Sequence, residues 1–303
     1  MITSHRRGAS RLRSFRRASA AGPNRTFVSG KGTDSGACAF AAPCRTFAFA
    51  LTQTNAGGEI DVLDPAGYGT VTIAKAISIV NDGVGTAGIT AGSGSAGVKI
   101  NAGAGDSVHL RGLTIDGPGT SGSNGIQFTT GGNLEIENCV VRIFQTGIFI
   151  GPSTSSSFTV SNTIAANNAG GISVQPSGSG VVTSVLSKII ANNNNTGIVV
   201  EGKFTTAASL NVVVADSETS NNNSGTGVSA DSASGAAPTS ILVRNVVARL
   251  TILALARTRI PLFGSPIRWS RGTIPQSRFP AAAPYSAMAT TTSMATRSTI
   301  SAF

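Results

Sequence analysis

Aromatic and charged residues are scarce in this chain of 303 residues: Phe, Trp and Tyr make up 5% of it and Asp, Glu, Lys and Arg 12%. A protein of long helices, each needing a charged solvent face, is excluded by that scarcity, while 37 Gly suit many short strands and turns. Acids are missing from both ends. Residues 1–25 carry seven Arg and no Asp or Glu, and residues 249–303 carry seven more Arg and again no acid. The formal charge of +10 therefore belongs to the ends, and residues 26–248 keep nine Lys/Arg against all 13 acids, a net −4. A folded nucleic-acid-binding surface does not follow from such a distribution. Long apolar runs are missing too: the richest stretch, 246–263, is broken by Arg249, Arg257 and Arg259, so no membrane span is expected. Residues 1–25 lack the apolar centre of a signal peptide. What the chain does have is 40% hydrophobic content, enough for a sizeable core.

That content is arranged as a repeat. The segments VHLRGLTI from Val108, LEIENCVV from Leu134, FTVSNTIA from Phe158, SVLSKIIA from Ser184, LNVVVADS from Leu210 and ILVRNVVA from Ile241 align without gaps. Positions one and three are mostly apolar and positions two and four mostly polar, the alternation of a strand with one buried face. A second strand follows in each unit, introduced by Gly125-Ile126, Gly147-Ile148, Gly171-Ile172, Gly197-Ile198 and Gly227-Val228. Units this short cannot bury an apolar face alone, so they must stack as coils of a solenoid, each strand pairing in parallel with its equivalent one coil later. Taking VTIAKAIS from Val71 as the first start gives seven starts and a stack of roughly 29 Å.

The fifth position of the segment is Asn138, Asn162 and Asn245 in three coils. Asn tolerates the left-handed backbone of a sharp bend and can bond the Asn above and below, which predicts a turn ladder. The other Asn clusters (Asn167–Asn168, Asn192–Asn195, Asn221–Asn223) read as polar loop residues at the opposite bend. Cys139, at the sixth position, reads as a small core residue.

With Arg25-Thr26-Phe27-Val28-Ser29, Cys38, Pro43-Cys44-Arg45-Thr46-Phe47, the run Gly57 to Pro65 and Tyr68-Gly69 ahead of these repeats, the chain resembles right-handed parallel β-helix proteins of the pectin-lyase-like superfamily. More narrowly it resembles uncharacterised bacterial exported β-helix proteins, over about residues 26–248. The resemblance implies an all-β solenoid and an exported protein; it implies no one activity, because the superfamily holds lyases, hydrolases, adhesins and structural proteins. Residues 1–25 read as a basic disordered arm, about 26–58 as the N-terminal cap of the solenoid, and 249–303 as an irregular basic tail. Within the cap, Thr46–Thr54 places Phe47, Ala50 and Leu51 on one face of a short amphipathic helix that would cover the open end of the stack. Cys38 and Cys44 close a small loop ahead of it: a disulfide if the protein is exported, two buried thiols if it is not, and a poor zinc site either way. The tail drops the coil pattern after Ala248. Codons for Ala287–Thr296 read from each third base encode Gly, aliphatic and Asn/Asp-type residues, which predicts a reading-frame shift near codon 248.

Polysaccharide cleavage on such a solenoid needs clustered outward carboxylates, or carboxylates holding Ca²⁺ with a basic Arg or Lys. No adjacent Asp pair and no dense acidic patch stands out. The strongest constellation has His109 and Arg111 at positions two and four of one coil and Glu135 and Glu137 in the next, so that they stack on the outer face. It reads either as a solvent-exposed charge ladder or as a catalytic or sugar-binding face. Asp106, Asp116, Asp216, Glu218 and Asp231 read as solvated loop acids. Most Phe residues alternate inward or lie in the cap, leaving few aromatics for sugar. No catalytic residue, metal or cofactor is assigned on this basis. The resulting expectation is a non-catalytic exported β-helix with a structural, adhesive or glycan-contacting role. The alternatives are a polysaccharide lyase or glycoside hydrolase using an outer strand face, and anionic-surface or nucleic-acid binding through the Arg-rich ends. Polysaccharide is the expected partner, with no specific nucleic acid.

Overall fold

A computed structural model describes residues 22–120 and 122–248, together with the backbone of 252–255. Most of the two Arg-rich ends, and with them the proposed arm, tail and frame shift, lie outside the described residues. Twenty-one strands in this region and one beyond it build a solenoid with three parallel sheets running along its length, not two. The nine-stranded first sheet runs through Arg25–Val28, Gly58–Val62, Ile77–Val80, Ser107–Arg111, Asn133–Glu137, Ser156–Ser161, Val182–Ser187, Leu210–Ala215 and Thr239–Arg244. Nine rungs make roughly 38 Å of stack, longer than the repeat count suggests. The second sheet carries the Gly-aliphatic strands, with Ile126, Ile148, Ile172, Ile198 and Val228 in one register. The five-stranded third sheet comes from the second half of each aligned segment, such as Leu113–Asp116 and Val140–Arg142.

A left-handed residue at the fifth position splits each segment in two. Gly112, Asn138, Asn162, Lys188, Asp216 and Asn245 all have positive φ, so the bend recurs in six coils and is not confined to Asn. At Gly112 only glycine fits, since a Cβ there would lie 2.3 Å from the Asn81 carbonyl oxygen. These positions also correct the alignment of one coil. Ser184 pairs with Val212 and Val212 with Ile241, so the unit starts at Val212, two residues after Leu210, and its sixth residue is Ser217. Val71, taken as a first start, belongs to the second sheet, where it faces Val98; the first-sheet strand of that coil is Ile77–Val80.

Inward columns hold the stack together. Ile60, Ile79, Leu110, Ile136, Val160, Leu186, Val214 and Val243 follow one another in register along the first sheet, each at most 5% exposed. Full burial of each such side chain stabilises by about 1.5–3 kcal/mol. At a second corner Asn168, Asn194 and Asn222 are buried and form a ladder that the sequence reading assigned to ordinary loops. Each accepts a backbone N–H from the coil below through Oδ1, as Asn168 does from Phe144, and donates Nδ2 to a backbone carbonyl. Their amides thereby satisfy main-chain groups that the corner would leave buried and unpaired.

The helix Phe47–Gln53 starts at Thr46, whose side chain accepts from the Phe49 N–H, and buries Phe47, Ala50 and Leu51. Arg25–Val28, placed between arm and cap by the sequence, is the first rung of the first sheet. Ile252–Leu255, placed in an irregular tail, is the last strand of the second sheet and pairs with Thr226–Asp231. Among the described residues no helix is long and apolar enough to cross a membrane.

Candidate functional site

The outward face of the first sheet gathers the charge. Register puts His109 beside Glu135 and Arg111 beside Glu137. It also puts Arg25 beside Glu59, and Asp61 between Phe27 and Val80. Seven ionisable side chains thus share five consecutive rungs, and Asp82 joins them from the bend after Ile77–Val80. Glu59, Asp61 and Asp82 form the acidic patch that the sequence did not reveal, because the early coils have irregular spacing and escape the repeat alignment. The alternation of Gly58–Val62, with Glu59 and Asp61 two residues apart between buried Gly58, Ile60 and Val62, is the signal that places both carboxylates on one face.

Arg25 binds both acids of that pair: it bonds Glu59, and its Nε lies 2.8 Å from Asp61 Oδ2. Burial pushes the Asp61 carboxyl up to about 6; the Glu59 charge beside it adds to the rise, against the pull of Arg25. The burial has a visible source, since both register neighbours of Asp61 are apolar. Near neutral pH this side chain therefore changes between proton donor and acceptor, while an ordinary Asp is ionised throughout.

Arg111 continues the network, 3.3 Å from Asp82 and 3.9 Å from Glu137. Glu137 also lies 3.9 Å from Nε2 of His109, a buried nitrogen with no hydrogen-bond partner. A shallow depression of about 480 Å³ opens beside Arg111, lined also by Asn81, Asp82, Gly83, Gly112 and Asn138. The pairs are partly solvated, so each contributes on the order of 0–1 kcal/mol to stability.

Other acids lie apart from this face. Asp116 and Asp231 end strands of the third and second sheets, not loops, and Asp116 pairs with Arg142. Asp106 accepts from the Gly103 N–H, Asp216 occupies a bend, and Glu218 bridges Ile190 and Val247. The fifth-position residues do form contacts: Asn162 Nδ2 donates to Asn138 Oδ1 at 2.6 Å and Asn245 Nδ2 to Asp216 Oδ1 at 2.8 Å. Cys38 and Cys44 are joined by a disulfide with Cα atoms 4.9 Å apart. Cys139 is a buried thiol, pushed up to about 12 by that burial, and is inert as a nucleophile. Tyr68 is buried as well and donates to the Asp64 carboxylate, which also accepts from Ser29 and the Gly30 N–H. Among the described residues no three His, Cys, Asp or Glu side chains are grouped to hold a metal ion.

A family model described as the right-handed β-helix region matches residues 79–248. The crystal structure of the pectate lyase Pel9A has the same fold, with a TM-score of 0.50 and 16% identity over 79% of this chain and 80% of that one. No curated protein matches the chain in sequence.

Proposed function

From a chain that belongs to the right-handed β-helix family, we propose a polysaccharide-cleaving protein whose working surface is the charged part of the first sheet. The observation that carries this reading is Asp61, an outward carboxyl raised to about 6 beside a second carboxylate, Glu59. Acid–base cleavage of a glycosidic bond needs a carboxyl that still holds its proton and a carboxylate that does not. In this reading Asp61 supplies the first and donates to the leaving oxygen, and Asp82 takes the proton of the attacking water; Glu59, hydrogen-bonded to Asp61, helps keep that proton in place. Arg111, His109, Glu135 and Glu137 extend the face along the solenoid axis, the direction in which an extended polymer would lie, and hold its hydroxyl groups. The shared fold with a pectate lyase supports a polysaccharide substrate, and the Cys38–Cys44 disulfide supports a place outside the reducing cytoplasm.

The test incubates the full chain with neutral and acidic polysaccharides, with and without Ca²⁺, and counts new reducing ends and unsaturated products. New reducing ends without unsaturation, lost in Asp61→Asn, are the expected result. Binding without cleavage on any substrate would return the protein to a non-catalytic, glycan-contacting role.

A further inference from the structure

The disulfide loop ahead of the helix does more than close the end of the stack. It lies against the first rung of the first sheet: the Phe27 N–H donates to the Cys38 carbonyl, and the Cys44 N–H donates to the Phe27 carbonyl. Between the two cysteines the chain turns tightly, with Ala39 and Ala42 bridged across Phe40 and Ala41. The turn presents Phe40 to solvent at 68% exposure, among alanines that are exposed themselves. Phe27 alternates outward between buried Thr26 and Val28, and its ring meets that of Phe40 edge to face, centroids 5.4 Å apart. Two aromatic rings thus form one contiguous apolar surface, fixed by a covalent loop, and its inner member is the register neighbour of Asp61.

We propose that Phe40 and Phe27 form a sugar-stacking platform that seats one neutral pyranose ring of the polymer next to Asp61. A β-linked pyranose with equatorial hydroxyls shows an apolar face of axial C–H groups, which pack on the negative face of an aromatic ring. A carboxylate-bearing ring gains nothing at this place, because the cation beside it, Arg25, is already held by Glu59 and Asp61. Contiguous exposed apolar surface at the margin of a polar site is what a ligand platform requires, and packing of the core gives no reason for Phe40 to point outward. The disulfide and the tight turn hold the ring in place before binding, so little side-chain entropy is lost when the sugar arrives. Sequence reading assigned the aromatics of this region to the core or the cap, and the loop bonded to the first rung is what turns these two outward.

The inference rests on the polysaccharide reading above, and its test is separate from the cleavage assay. Cellohexaose, xylohexaose and mannohexaose are titrated against the full chain by calorimetry, with saturation-transfer NMR from the Phe ring protons. At least one should bind and receive saturation on its C–H protons. Phe40→Ala should weaken that binding about tenfold with the melting temperature unchanged, and Phe40→Trp should restore it. Unchanged affinity in Phe40→Ala would overturn the platform, and so would the absence of binding by all three sugars at about millimolar concentration. Tighter binding of an oligogalacturonate that Phe40→Ala leaves alone would overturn it too. If Asp61→Asn cleaves like the unaltered protein while Phe40→Ala loses binding, the acid–base reading fails and the platform stands.

Discussion

The outward face of the first sheet changes character halfway along the solenoid. From Arg25 to Glu137 it carries Arg, Glu, Asp and His; in the next coils the column that contains His109 and Glu135 continues as Thr159, Val185, Val213 and Leu242, and the column of Arg111 and Glu137 runs through Ser161, Ser187 and Ala215 to Arg244, the one charge of these coils' rungs, which pairs with Asp216. Val185 and Leu242 are about as exposed, at 41% and 40%, as the charged side chains they follow. Inward, the two halves are alike: buried Ile, Leu and Val in register, on the same ladder of parallel backbone bonds. Inward residues therefore determine the fold and leave the outward ones free to differ, which is the freedom the proposed working face uses.

The largest effect that separates the halves is expected at Asp61. Asp61→Asn keeps the shape and removes the titrating proton, and cleavage should fall by about 100-fold or more. Equal turnover by the two proteins would end the distinction between the halves. A second change acts on the buried corner ladder, which runs through the coils beyond the charged half. Asn194→Ala leaves buried main-chain groups unpaired and should cost about 1–3 kcal/mol in urea unfolding. Asn162→Gly keeps the left-handed bend, removes a solvent-exposed amide ladder and should cost about 0.5 kcal/mol or less; similar losses for both variants would show that burial is not what gives the second corner its weight.

Smaller still is the pH signature of the charged half. The folded carboxyl of Asp61 holds its proton more tightly than an unfolded Asp, so the folded chain binds more protons between the ordinary Asp value and about 6. Stability from this group is therefore present at acid pH and declines as pH rises through about 6, a slope that Asp61→Asn should remove from the melting temperatures. Arg111→Ala should weaken polysaccharide binding about threefold to tenfold. Leu242→Ser, in the aliphatic half, should leave binding and turnover unchanged; a loss there equal to that of Arg111→Ala would extend the working face over the whole sheet.

Much of this architecture is legible from alternation alone, because inward Ile, Leu and Val at every second position identify the first sheet and Gly-aliphatic pairs identify the second. The third sheet is not, since Leu113–Asp116 follows its bend without a break in pattern and looks like a continuation of Ser107–Arg111. Lys188 hides the same bend because Lys does not announce a left-handed backbone, and Asp216 hides it because that coil starts two residues after Leu210. His109, Arg111, Glu135 and Glu137 are legible as neighbours since their coils have near-equal length. Glu59, Asp61 and Asp82 are not: the loops between the early rungs vary in length, and only three-dimensional pairing brings Gly58–Val62 beside Ile77–Val80.

The rate of polysaccharide cleavage as a function of pH, for the unaltered protein and for Asp61→Asn, tests the central claim most directly. With Asp61 as the proton donor, the rate of the unaltered protein should fall as pH rises past about 6 and Asp61→Asn should show no such limb. A rate that Asp61→Asn reproduces in size and pH dependence, or no cleavage at any pH, would contradict it.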